Sequence, residues 1–324
     1  EDLDGGVNSL ALRLDVGGAG AVDGVVIGGI DDVATLLDGV YLDLVSVVLE
    51  AGPHFAAAAD LLIEIWDRNG VSVDERRGNL GADPLGALAA GGRLPGGLAP
   101  TLSDAAELAV STAAWPHVQA IHVDTAPYVD AGASEAEELA IMLAAGVEYL
   151  GALIDAGLPI DVAATQLAFT LSADADVFAT IAKLRAARRL WGHALAAAGA
   201  ADAAGAPLAT RTATRMMTVR DPWVNMLRTT AACFAAGAGG ATTVTVQPFD
   251  ASVGLPDDLG RRLARNTQLV LQEESHIGLV ADPAGGSFYI EELTDQLSTR
   301  AWSRFQEIQA AGGRWSLRRS LARA

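Results

Sequence analysis

Short apolar runs rich in Val, Ile, Leu and Thr recur along the chain. Longer Ala/Leu/Arg/Glu stretches separate them, with apolar residues returning at helical spacing. The short runs predict strands at Val7–Leu14, Leu44–Leu49, Arg76–Leu80, Ala120–Val123, Thr165–Leu171, Leu208–Ala213, Thr242–Gln247 and Gly278–Ala281. The periodic stretches predict helices over His54–Asn69, Glu135–Asp155, Asp176–Ala198, Pro222–Ala236, Pro256–Glu274 and Ile290–Ala311. Proline opens two of these, in the first turn, where its missing N–H costs nothing. Gly70, Gly157 and Gly312 stand where left-handed C-terminal caps are expected.

Strict strand–helix alternation implies parallel strands buried on both faces. Eight such units favour an α/β fold closed as a (β/α)8 TIM barrel, one domain over residues 1–324. An open doubly wound sheet would carry a glycine-rich turn after its first strand. The nearest match, from Gly17 to Gly20, lacks the full spacing, and Val25-Val26-Ile27 follows it with no clear helix. Pro95–Pro100 and Gly199–Pro207 read as flexible loops that mark no domain boundary.

Composition narrows the partners. The 324 residues carry 40 acidic and 22 basic side chains, a net charge of -18, and Lys183 is the one lysine. Such a charge argues against neutralising nucleic-acid phosphates or resting on an anionic membrane. A single cysteine, Cys233, excludes an internal disulfide and any cysteine-built metal site. The uncharged run Thr229–Phe249 reads as a buried helix, a turn and a buried strand rather than a membrane span. The acidic start, Glu1 to Gly6, lacks the features of a signal peptide, so the expected compartment is the cytoplasm.

In a barrel the residues just after each strand build the mouth. Those positions bring forward Glu50 and His54, Asp83, Asp124, Asp174, Arg211 and Arg215, Gln247, and the Gly285-Gly286-Ser287 turn. Glu50 and His54 form either an acid–base pair or a surface Glu beside a helix-entry His. Arg211 and Arg215 either bind an anionic substrate or pair with Asp124 and Asp174. The glycine turn either offers N–H groups to a phosphate or is an ordinary turn with Ser287 as helix cap. His117 and His122, five apart, do not share a strand face, and no spacing makes a metal site.

The second half is more specific. Asp221-Pro222-Trp223-Val224-Asn225-Met226-Leu227-Arg228-Thr229 resembles a motif of the adenosylcobalamin-dependent acyl-CoA mutases. So do Ala264-Arg265-Asn266-Thr267-Gln268, Gln272-Glu273-Glu274-Ser275, and Asp282-Pro283-Ala284-Gly285-Gly286-Ser287 through Glu291. Earlier, Ala131-Gly132-Ala133 and Ile181 to Arg188 also fit. The family resembled is the methylmalonyl-CoA mutases. The resemblance implies a barrel that threads an acyl-CoA along its axis, with cobalamin held at the mouth by a separate C-terminal domain. The family's N-terminal arm and that C-terminal domain have no counterpart in residues 1–324.

The same resemblance implies a degenerate substrate pocket. Pro127 stands where catalytic members carry a histidine. Gly81, Gln166, Ala168, Arg211, Thr242 and Thr243 fall in segments whose family versions supply glutamines and an arginine to the CoA ester. This pattern resembles the small, non-catalytic subunit of heterodimeric bacterial enzymes. It implies a large catalytic subunit as partner, adenosylcobalamin bound by that partner, and no catalytic, cofactor-binding or metal-ligating residue on this chain; the alternatives are an active acyl-CoA mutase barrel that uses a cobalamin domain on another chain, or a non-enzymatic CoA-binding barrel.

Overall fold

The computed structural model describes residues 2–312, apart from 19, 21, 201 and 204. The glycine-rich segment from Gly17 to Gly20, the expected loop Gly199–Pro207 and the end of the expected 1–324 domain therefore lie partly outside the described residues. In chain order the elements are β1 (Ser9–Val16), β2 (Val25–Ile27), α1 (Ile30–Leu36), β3 (Ser46–Glu50), α2 (Phe55–Arg68), β4 (Gly78–Ala82), α3 (Pro84–Gly91), α4 (Leu98–Thr112), β5 (Val118–Asp124), α5 (Ala126–Asp130), α6 (Glu135–Asp155) and α7 (Ile160–Thr165). Then follow β6 (Leu167–Ala173), α8 (Val177–Ala197), β7 (Leu208–Thr212), α9 (Val224–Ala238), β8 (Thr243–Thr245), α10 (Asp258–Leu269) and α11 (Phe288–Ala310).

The fold is α/β, of the TIM-barrel type. Eight parallel strands form one curled sheet in the order β2-β1-β3-β4-β5-β6-β7-β8. Strands β3 to β7 carry apolar residues because helices cover their outer faces, so Val47, Leu49, Leu80, Ile121, Leu167 and Leu171 are at most 1% exposed. The helices turn small and branched faces inward. On α6, Leu139, Leu143 and Leu150 are buried, and Ser134 closes a reciprocal capping box with Glu137. Gly70, Gly157 and Gly312 all take positive φ, as their capping positions require.

Strand β4 explains two glycines. A Cβ on Gly78 would stand 1.8 Å from the Val47 carbonyl oxygen, and one on Gly81 would stand 2.2 Å from that of Leu49. Both residues also hold positive φ, 138° and 76°. The chain can press β4 against β3 only without side chains at these points. Gly81 thus has a backbone reason of its own, whatever its place in a substrate pocket.

The ends of the sheet depart from expectation. Gly278–Ala281 is not a strand: Ile277–Leu279 is a 3-10 turn, and Leu279 and Val280 are 79% and 64% exposed. The flanking His276 and Asp282 take left-handed φ of 50° and 46°, which breaks an extended run on both sides. The eighth strand is instead β2, the Val25–Ile27 segment, and a helix, α1, does follow it. β8 is shorter than expected, and its Thr243 and Thr245 are exposed rather than buried. Among the described residues no ladder joins β2 to β8. The N-terminal loop leans on α10 instead, where Arg265 donates to Asp2 at 2.9 Å.

Other boundaries shift locally. α9 and α10 begin two residues after the prolines expected to open them. A π-helical turn, Val270–Glu274, continues α10. Half of the expected loop Pro95–Pro100 belongs to α4, which starts at Leu98 with Pro100 in its first turn. No helix among the described residues is long and apolar enough to cross a membrane.

Candidate functional site: the barrel mouth

The C-terminal strand ends surround a cavity of about 1010 Å³. Gly81, Pro127 and Arg211 line it, together with Glu50, His54, Asp83, Asp124 and Gln247. Gln166, Ala168, Thr242 and Thr243 are not among its lining residues. They sit at the opposite ends of β6 and β8: Gln166 just before β6, Ala168 second within it, Thr242 just before β8 and Thr243 at its start.

Charges at the mouth are paired with one another. The Arg211 guanidinium, 13% exposed, donates to Asp124 Oδ2 at 3.2 Å and also to Glu50 Oε1. Arg13 Nε and Nη2 donate to the other oxygen of Glu50, both at 3.2 Å. Asp124 Oδ1 accepts from the Ala126 N–H at 2.9 Å. β3 and β7 lie four places apart in the eight-strand order, so the Glu50–Arg211 pair crosses the curl from one side to the other. Burial opposes the Arg211 charge, but Asp124 and Glu50 more than offset it and hold its pKa above the ordinary value.

Arg215 follows the same rule. It donates to Asp174 at 3.3 Å, to Glu135 at 3.2 Å and to the Ala133 carbonyl at 2.8 Å. Of the two readings for these arginines, the structure shows pairing with the carboxylates. No hydrogen bond joins Glu50 to His54 among the described residues, because two arginines occupy the Glu50 carboxylate. At the Gly285–Ser287 turn, Ser287 stands at the N-cap of α11 without a side-chain cap bond. The Gly286 N–H is already given to Glu291 Oε1 at 3.0 Å.

Two groups in the cavity wall were not among the expected mouth residues. His122, on β5, is 7% exposed, and its Nε2 meets Thr170 Oγ1 at 2.7 Å. Asp130 ends α5, and burial, then the nearby Asp124 charge, raise its carboxyl pKa. Neither carries a motif; only the curl of the sheet brings them to the mouth.

Behind the mouth lies a buried ion pair. Glu138 and Lys183 side chains are each 1% exposed, with Lys183 Nζ 2.5 Å from Glu138 Oε2. Glu138 Oε1 also accepts from Thr125 Oγ1 and from the Ser172 N–H, both at 2.7 Å. One carboxylate therefore fastens the ends of β5 and β6 to α6 and α8. Asp83 does similar work at the end of β4. It caps α3 through the Gly86 N–H at 3.0 Å, and accepts from the Tyr149 hydroxyl at 2.5 Å and the Asp124 N–H at 3.0 Å. Burial raises its pKa in spite of those bonds.

Comparison with known proteins adds a family. The family described as methylmalonyl-CoA mutase matches residues 12–318. The methylmalonyl-CoA mutase small subunit of Streptomyces virginiae is 50% identical over 320 residues, 98% of this chain and 50% of its own length. A probable methylmalonyl-CoA mutase small subunit of Mycobacterium bovis is 43% identical over 319 residues, 95% of this chain and 49% of its own. The methylmalonyl-CoA mutase large subunit of Streptomyces virginiae is 33% identical over 293 residues, 90% of this chain and 40% of its own. The chain spans about half the length of the small subunits it matches.

Proposed function

The chain belongs to the methylmalonyl-CoA mutase family, and from that premise we propose that it serves as a small, non-catalytic subunit. A large subunit would carry the interconversion of methylmalonyl-CoA and succinyl-CoA. The observation that carries this reading is Pro127. It lines the mouth in the first turn of α5, where the resemblance expects a histidine. A pyrrolidine side chain neither donates nor accepts a proton.

The rest of the mouth supports the reading. An acyl-CoA threaded along the axis would meet the Glu50–Arg211 pair lying across it. The arginine that would read an anionic group is held between two carboxylates of its own chain. The ionisable groups of this mouth act on each other and tie β1, β3, β5 and β7 together.

The family depends on cobalamin, and two histidines line this mouth. His122 is buried and bonded to Thr170, and His54 sits at the start of α2 in the cavity wall. On this reading adenosylcobalamin belongs to the partner, and no step of the chemistry passes through this chain. The subunit works within the cytoplasm as half of a heterodimer.

The test is turnover. The purified protein with adenosylcobalamin and methylmalonyl-CoA should form no succinyl-CoA, and adding the large subunit should bring activity. Turnover by the protein alone would refute the proposal. Calorimetry with methylmalonyl-CoA should give no heat of binding while the Glu50–Arg211 bridge stands.

A further inference from the structure

The net charge of -18 is not spread evenly. Between Arg13 and Arg68 there is no lysine or arginine, while residues 14–67 hold ten carboxylates. This stretch builds β2, α1, β3 and α2, the end of the sheet where β2 is outermost. Among the described residues four of the ten are paired with arginines, Asp31 and Glu64 with Arg68, Asp67 with Arg76, and Glu50 with Arg13 and Arg211.

The same end exposes apolar side chains. Tyr41 is 73% exposed, Leu44 68%, Val26 61%, Val25 50% and Leu36 36%. Single exposed apolar residues are ordinary. Five within twenty consecutive positions, on β2, α1 and the turn that follows, are not scattered. Strands of a parallel sheet are normally covered on both faces, yet Val25 and Val26, on opposite faces of β2, are both open. The turn carrying Tyr41 and Leu44 is well formed, since the Tyr41 carbonyl accepts from the N–H groups of Leu44 and Val45, each at 3.0 Å. The side chains are thus held outward on an ordered backbone.

We propose that the β2–α1 end of the sheet, centred on Tyr41 and Leu44, is the docking surface for a basic protein partner. Charge complementarity selects the occupant. Exposed Asp23, Asp31, Asp32 and Asp38 flank the apolar residues, so the matching surface carries arginines or lysines around an apolar centre. An exposed tyrosine is the kind of amphipathic anchor that dominates such contacts. The inference rests on the small-subunit reading, under which the occupant is the large subunit. A polyanion, or a second copy with the same acidic end, would be repelled here.

The experiment is a binding measurement between the intact protein and purified large subunit, by surface plasmon resonance over a range of salt. Tyr41→Ala with Leu44→Ala should weaken binding at least about tenfold. Asp31→Asn with Asp38→Asn should slow association and flatten its salt dependence, with dissociation little changed. Val110→Ala, on the exposed side of α4, should bind as the parent does. Hydrogen exchange on the unmodified protein gives a second measure that survives any folding defect: residues 25–45 should gain protection in the complex. If the parent binds but neither the variants nor the exchange pattern responds, the docking surface is elsewhere and this inference fails while the subunit reading stands. If the parent does not bind the large subunit at all, both fall together.

Discussion

Replacing Lys183 by methionine keeps the volume of a wholly buried side chain and removes its charge. It leaves Glu138, 1% exposed, with an uncompensated carboxylate. The two remaining donors, Thr125 and the Ser172 N–H, both act on Oε1, so Oε2 loses the one partner it has at 2.5 Å. Breaking a buried pair from one side costs about 3–5 kcal/mol, against a total stability of about 5–15 kcal/mol. The double variant Lys183→Met, Glu138→Gln should be less damaged than the single one. A glutamine carbonyl still accepts from Thr125 and Ser172, and no charge is left unpaired. Urea unfolding at pH 7, followed by tryptophan fluorescence and far-UV circular dichroism together, measures both. A loss below about 1 kcal/mol for Lys183→Met, or a double variant no more stable than the single one, would refute the view that Glu138 is held as a buried charge.

Three further outcomes are expected. Asp130→Asn should raise the melting temperature at pH 7, because the folded chain disfavours the Asp130 charge. The sign follows from linkage: a carboxyl whose pKa is raised on folding lowers stability above that pKa, and the deficit fades as pH falls toward the ordinary aspartate value of about 3.9. An advantage that grows on acidification would contradict the assignment. Cys233, whose thiol burial pushes up to about 12, should resist iodoacetamide at pH 8 in the folded protein and react once unfolded; rapid native alkylation would show that α9 opens. Gly81→Ala should cost about 2–5 kcal/mol, from strain at positive φ and from a Cβ pressed on the Leu49 carbonyl; thermal melts within a degree of the parent would argue against so close a β3–β4 approach.

Much of the mouth was legible as a set of residues, because barrel geometry tells where to look: just after each strand. Glu50, Asp124, Asp174, Arg211 and Arg215 all come from that rule. Their pairings were not legible. Glu50 and Arg211 are 161 positions apart, and whether an arginine faces a ligand or a carboxylate depends on what stands across the barrel. His122 and Asp130 fell outside the rule, one within a strand and the other at the far end of a short helix.

The sequence by itself determined the alternation of strands and long helices, since a strand buried on both faces must be apolar throughout and a helix packed on one face must repeat near 3.6. It determined too the acidic, lysine-poor surface and the family motifs around Asp221–Thr229 and Asp282–Glu291. Only the tertiary structure decided which segment becomes the eighth strand. Ile277–Val280 and Val25–Ile27 are both short apolar runs, and composition cannot rank them. Position beside β1 admits the second, while left-handed turns at His276 and Asp282 leave the first outside the sheet. The same is true of the charges at the mouth: their number is written in the chain, but their mutual neutralisation exists only because the sheet curls until β3 and β7 face each other.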